Sequence, residues 1–196
     1  LAVASGLGED AMATERDRRR EAYVEKARAE LSGLAARGVR MGGNAFSAVV
    51  LAKGDLSPEE QAGAELLSGP DGVALRKSLA KLGYEPEDWC TICLPEPGSP
   101  GALPAPLVRE ALAALDPATL VCCDEAAAQT VRDAYADDLA ELQSFQEAML
   151  EPGYVVSVHG VRVLALGGFA SALSDQRQKQ LMWARLKQIP PLGEPF

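Results

Sequence analysis

Short apolar, β-branched runs alternate with amphipathic helical stretches along most of this chain, and that alternation limits what it can fold into. Residues 46–52 (FSAVVLA), 89–94 (WCTICL) and 119–123 (TLVCC) are runs of buried-strand type. Between and around them lie segments with apolar residues at helical spacing. Residues 12–37 carry Tyr23, Val24, Ala27, Leu31, Leu34 and Ala35 on one face. A helical patch is expected over 59–67. The break Gly69-Pro70-Asp71-Gly72 opens a helix with Leu75, Leu79 and Leu82 in line. Further helices are expected around Leu107–Leu115, around Ala127, Val131 and Ala134, over 137–150, and over 174–189. Residues 154–158 and 162–166 flank His159-Gly160, which is a hairpin signal. Met41 to Asn44 reads as a loop.

Strands that alternate with helices imply a mainly parallel sheet covered on both faces. The expected fold is therefore α/β: three α/β/α layers around a central, mainly parallel sheet of about four strands. The expected division is a tail and helix over 1–43, the α/β domain over 44–190, and a tail over 191–196. Ligands on such sheets bind at the carboxyl ends of the strands. The candidate site loops are thus 53–58, 95–104, 124–125 and 167–172.

Composition narrows the classes further. Apolar residues make up 47% of the chain and aromatics only 5%, so the core must be built mostly of Leu, Val and Ala. The net charge is −9, and it is uneven. Residues 1–40 hold 8 Lys and Arg against 7 Asp and Glu, whereas residues 41–196 hold 11 against 21. A duplex binder offers cations to phosphates, so an acidic body argues against tight DNA binding. No apolar run approaches the roughly 20 residues that span a bilayer. Leu1 to Gly8 lacks the basic start of an export signal, so the expected compartment is the cytoplasm. The four cysteines, Cys90, Cys93, Cys122 and Cys123, fall on strand segments. Buried, reduced core thiols account for them better than a metal or redox site. No G-x-x-x-x-G-K-[ST] and no G-x-G-x-x-G follows a strand, so no phosphate cradle is indicated.

Three stretches share their order and spacing with a known family. The first is Val49-Val50-Leu51-Ala52-Lys53-Gly54-Asp55, followed by Leu66-Leu67-Ser68-Gly69-Pro70-Asp71-Gly72 and Leu75. The second is Leu82-Gly83-Tyr84 with Trp89-Cys90-Thr91-Ile92. The third runs from Leu107 onward, through Leu115-Asp116-Pro117, Val158-His159-Gly160, Gly167-Gly168-Phe169-Ala170, Lys179 and Trp183. Together they resemble the uracil-DNA glycosylase superfamily, most closely its thermostable iron–sulfur branch, over residues 46–189. The resemblance implies that fold, with pocket positions at Lys53, Gly54, Leu67, Ile92, Gly168 and Phe169.

It also implies that the chemistry has been lost. Lys53 stands where the family has the acid that handles water. Leu67 stands where an aromatic stacks on the flipped base, Ile92 where Asn reads the pyrimidine edge, and Gly168 where His supports the departing base. The cluster cysteines are not matched, so no iron–sulfur group, and no other cofactor or metal, is implied. Base excision needs a group that steers water and donors aimed at the leaving base anion. It also needs stacking and edge hydrogen bonds around a flipped base. The expectation is a catalytically inactive relative, acting as a binding or interaction module for a protein or small ligand, with DNA binding weak or absent. The alternative is a divergent nucleobase or nucleotide hydrolase, or DNA glycosylase, that uses Asp55 or Asp124.

Each candidate has a plainer reading beside the chemical one. Lys53-Gly54-Asp55 is an anion contact with a displaced acid, or a polar loop ahead of a helix capped by Ser57 and Pro58. Asp124 is a site acid, or a helix N-cap. His159, the only histidine, is a general base, or a solvated turn residue. Arg18, Arg19 and Arg20 are phosphate contacts, or a helix face paired with neighbouring Glu residues. The plainer reading is favoured in every case.

Overall fold

The computed structural model describes residues 14–192. The N-terminal stretch read for an export signal and the last residues of the expected C-terminal tail lie outside the described residues. In chain order the elements are α1 (Glu15–Ala36), β1 (Arg40–Gly43), β2 (Val49–Lys53), α2 (Pro58–Gln61), α3 (Pro70–Lys81), β3 (Trp89–Cys93) and α4 (Ala105–Leu115). These are followed by β4 (Thr119–Cys122), α5 (Glu125–Ala134), α6 (Ala136–Ala140), α7 (Phe145–Ala148), β5 (Val155–Val158), β6 (Val161–Ala165), α8 (Phe169–Ala172) and α9 (Gln176–Leu186).

The fold is α/β, with one six-stranded mixed sheet in the order β1-β3-β2-β4-β6-β5. This corrects the expected mainly parallel sheet of about four strands. The inner strands β3, β2, β4 and β6 pair in parallel, but both edges are antiparallel: β1 on β3, and β5 on β6. The extra edge strand is the Arg-Met-Gly-Gly segment that reads as a loop. Its ladder to Cys90–Cys93 overrides the poor strand propensity of its glycines. At the other edge, His159 (φ 50°) and Gly160 (φ 76°) form the whole connection between β5 and β6. Two consecutive left-handed residues are what a tight two-residue hairpin requires.

Successive strand residues point to opposite faces, and the core divides accordingly. Val50, Ala52, Ile92, Leu120, Cys122 and Val163 face one side, where Leu34 of α1, Val108 and Leu112 of α4, and Val131 of α5 cover them. Val49, Leu51, Trp89, Val121 and Leu164 face the other, where Leu75 and Leu79 of α3 and Met182 and Leu186 of α9 cover them. Helices therefore lie on both faces. Two long helical expectations shorten. The patch expected over 59–67 is helical only in the short α2, Pro58–Gln61, and 137–150 divides into α6 and α7. No helix among the described residues is long and apolar enough to cross a membrane.

Candidate functional site

The strand order places β3 on one side of β2 and β4 on the other. The chain leaves β2 in one direction and later returns beside it in the other. The loops after β2 and β4 diverge, and a crevice opens at the carboxyl ends of those strands. A cleft of ≈ 100 Å³ lies there, lined by Lys53, Asp55, Asp71, Leu75, Cys123, Asp124 and residues 168–171. That volume is small beside the roughly 300–1,000 Å³ of pockets that enclose drug-sized ligands.

Lys53 ends β2 in the row of Val49 and Leu51, so its stem continues the apolar face toward α3. Only 5% of it is exposed. Its ammonium donates to Glu60 Oε1 at 2.5 Å and to Asp71 Oδ2 at 2.8 Å. Glu60 is buried at 1% exposure. The Ser57-x-x-Glu60 capping box at the start of α2 brings it there. Its Oε1 also accepts from Ser57 N–H at 3.1 Å, and its Oε2 accepts from Leu67 N–H at 3.0 Å. Burial pulls the Lys53 ammonium downward, but the hydrogen bonds to Asp71 and Glu60 outweigh it and the pKa is raised. Burial pushes the Glu60 carboxyl upward, but the Lys53, Leu67 and Ser57 hydrogen bonds outweigh it and the pKa is lowered. Both groups are held in their charged forms.

Asp124 caps α5 through Ala127 N–H at 2.8 Å. The same carboxylate reaches across the crevice and accepts from Gly54 N–H at 3.1 and 3.2 Å and from Asp55 N–H at 3.0 Å. It therefore ties the loop after β2 to the helix after β4. Gly54 permits the approach: a Cβ there would stand 2.2 Å from Ala127 N. Gly72 permits a similar approach at the start of α3, since its Cβ would fall 1.6 Å from the Leu67 carbonyl oxygen. Leu67 is fully buried and left-handed (φ 59°), a backbone state that Leu seldom adopts, and its N–H is held by Glu60.

The residues chosen from sequence divide into two groups. Lys53, Asp55, Asp124, Gly168 and Phe169 line the cleft; Gly54 does not line it but binds Asp124 through its N–H. Leu67 and Ile92 do not line it: Leu67 is in the α3 and α9 core, and Ile92 is in the core on the opposite face of the sheet. Arg18, Arg19 and Arg20 are exposed on α1, with Arg19 paired to Glu15 at 3.1 Å. Leu34 at the far end of α1 packs into the core on the opposite face from α3. His159 faces Asp138 at 3.0 Å and stacks obliquely on Tyr135 at 5.6 Å, at the turn that starts β6 rather than at the strand ends where the cleft lies. All four cysteines are free and buried. Burial pushes the Cys90 thiol up to about 11 and the Cys122 thiol up to about 12. Cys123, which lines the cleft, is raised well above the usual thiol range by burial and then by Asp124. A protonated, buried thiol is a poor nucleophile.

Neither a protein-family model nor a curated protein matches this chain.

Sequence reasoning missed Glu60 and Asp71, the two acids that hold Lys53. The Ser57-x-x-Glu60 spacing is a capping-box signal that could have marked Glu60 as a backbone-bonding residue. Nothing local linked it to Lys53 or to the first turn of α3. Among the described residues, no group of three or more His, Cys, Asp or Glu side chains converges as a metal site. The cleft thus holds one ammonium already shared by two carboxylates, one carboxylate already taken by main-chain donors, and Asp55 exposed at the mouth.

Proposed function

We propose that this chain is a non-catalytic binding module on a scaffold that resembles the uracil-DNA glycosylases. The observation that carries this reading is that the charged groups of the cleft are engaged with one another and with the backbone. Lys53 is bound by Glu60 and Asp71, and Asp124 accepts from three main-chain donors. Both Asp124 oxygens already accept main-chain N–H groups, which leaves little room for a water, and an ammonium between two carboxylates offers little to an anion. Lys53 is bound by Glu60 and Asp71, and Asp55 and Asp124 line the same cleft, so one cation stands among four carboxylates. That balance opposes a phosphodiester backbone.

The second reading, a divergent nucleobase or nucleotide hydrolase or DNA glycosylase, draws its support from Asp55. Its side chain is exposed and lines the cleft, and no hydrogen bond among the described residues engages its carboxylate. Incubation with uracil-containing single- and double-stranded DNA, and with free nucleosides and nucleotides, separates the two. The binding-module reading expects neither alkali-labile strands nor released base. Product that disappears in Asp55→Ala selects the hydrolase.

A further inference from the structure

A second concave surface lies between α3 and α9, adjoining the cleft, with which it shares Phe169. Short helix α8 packs against both and floors the trough between them. Val73, Phe169, Leu173 and Met182 form its apolar lining, with Lys77 and Lys179 on opposite rims, around ≈ 370 Å³ of open space. Val73 is 47% exposed, an apolar side chain left uncovered on a helix whose other face is core. Trp183 closes one end, with the Lys81 ammonium 5.3 Å and the Lys187 ammonium 5.9 Å from its ring centre.

The charge here is opposite to that of the rest of the chain. Residues 70–81 and 176–187 hold seven Lys and Arg against one acid, Asp71, which is bound to Lys53. The whole chain nevertheless carries −9. A basic-rimmed apolar trough on an acidic protein selects for a partner with the complementary pattern. We propose that the α3–α9 groove docks an amphipathic helical segment of a partner protein, with its apolar face on Val73, Ala74 and Leu173 and its acidic flanks on Lys77 and Lys179. This deepens the binding-module reading and rests on it.

Two observations favour a peptide helix over a nucleic acid strand. The exposed part of the lining is aliphatic, Val73 with Leu173 beside it, and suits side chains at positions i, i+3, i+4 and i+7. Of the two aromatic rings in the lining, Phe169 is buried and Trp183 already has two ammonium groups over it, whereas single-strand binding uses free rings as stacking platforms.

The test uses the full chain and a displayed library of 16-residue helix-forming peptides. Apolar residues are fixed at helical spacing, and Glu, Lys, Gln or Ser vary elsewhere. Selection is expected to enrich Glu over Lys. Amide shift changes with a selected peptide are expected at 70–81, 169–173 and 176–187. Lys77→Glu/Lys179→Glu is expected to weaken that peptide about tenfold and to gain affinity for its Lys-substituted counterpart. Both lysines are exposed, so the fold tolerates the change, and Val73→Asp gives an independent block of the floor. No acidic enrichment, or shifts that map elsewhere, overturns the proposal. So does an oligo(dT) strand that binds the groove more tightly than the selected peptides. Base excision by a chain whose groove still binds acidic peptides would overturn only the inert-cleft reading. A groove that binds nothing, without excision, would overturn only this one.

Discussion

Gly54 donates its main-chain N–H to both oxygens of the Asp124 carboxylate, at 3.2 and 3.1 Å. The bond joins the loop after β2 to the cap of α5 across the point where the chain reverses its direction of strand addition. Asp124→Ala removes an N-cap and strands two further N–H groups, so it is expected to destabilise by about 2–3 kcal/mol. Asp124→Asn keeps an acceptor oxygen and is expected to cost about 1 kcal/mol. Urea unfolding of the two variants checks this ordering.

The two close-packed glycines give a steric counterpart. Gly54→Ala and Gly72→Ala force a Cβ into main-chain atoms of Ala127 and Leu67, which cannot move without displacing a helix start. Each is expected to cost about 3 kcal/mol. Gly63→Ala is the control. Its φ is +104°, yet nothing stands within 4 Å of the added carbon, so only backbone strain of about 1–2 kcal/mol is expected. Thermal or urea midpoints distinguish the two classes.

The buried ion cluster predicts a specific pH profile. The Glu60 pKa is lowered in the folded state, because its hydrogen bonds from Lys53, Leu67 and Ser57 outweigh the upward push of burial. Its stabilisation is therefore complete above the unfolded carboxylate value of about 4.3 and is lost as pH falls through the lower folded value. The Lys53 pKa is raised, because its bonds to Asp71 and Glu60 outweigh burial. Its stabilisation is complete below the unfolded value of about 10.4 and is lost as pH rises through the higher folded value. This cluster contributes a flat plateau between about pH 6 and pH 9, with an acid limb that Glu60→Gln makes shallower. Urea midpoints across pH measure it.

The thiols predict a reactivity pattern. With all four cysteines buried, and their pKa values raised by burial, native protein is expected to resist a thiol reagent at neutral pH. All four are expected to react once urea unfolds the chain. Rapid labelling of any one in the native state would show that its strand opens locally.

Most strands were legible in the sequence because they are buried on both faces and read as continuous apolar runs. The hairpin was legible because His159-Gly160 marks a turn. Arg40–Gly43 was not, because an edge strand needs few apolar residues and its two glycines suggest a loop. The site was legible only in part. Lys53 ends a strand and Asp55, Asp124 and Gly168 follow strands, and the general rule for sheet carboxyl ends finds them. Ile92 sits one pleat out of phase and points into the opposite core, and such parity depends on where a strand begins. Glu60 and Asp71 meet Lys53 only after α2 and α3 fold over the sheet, and no local spacing encodes that meeting.

The central claim is that the cleft's charges hold the fold together instead of performing chemistry. A double-mutant cycle at Lys53 and Glu60, using Lys53→Met, Glu60→Gln and the double variant in urea unfolding, tests it most directly. The two groups are 2.5 Å apart with almost no solvent between them. The cycle is expected to give a favourable coupling of about 2 kcal/mol, with the double variant more stable than the sum of the single losses implies. A coupling within about 0.5 kcal/mol of zero would contradict the account, because Lys53 would then be free for another partner.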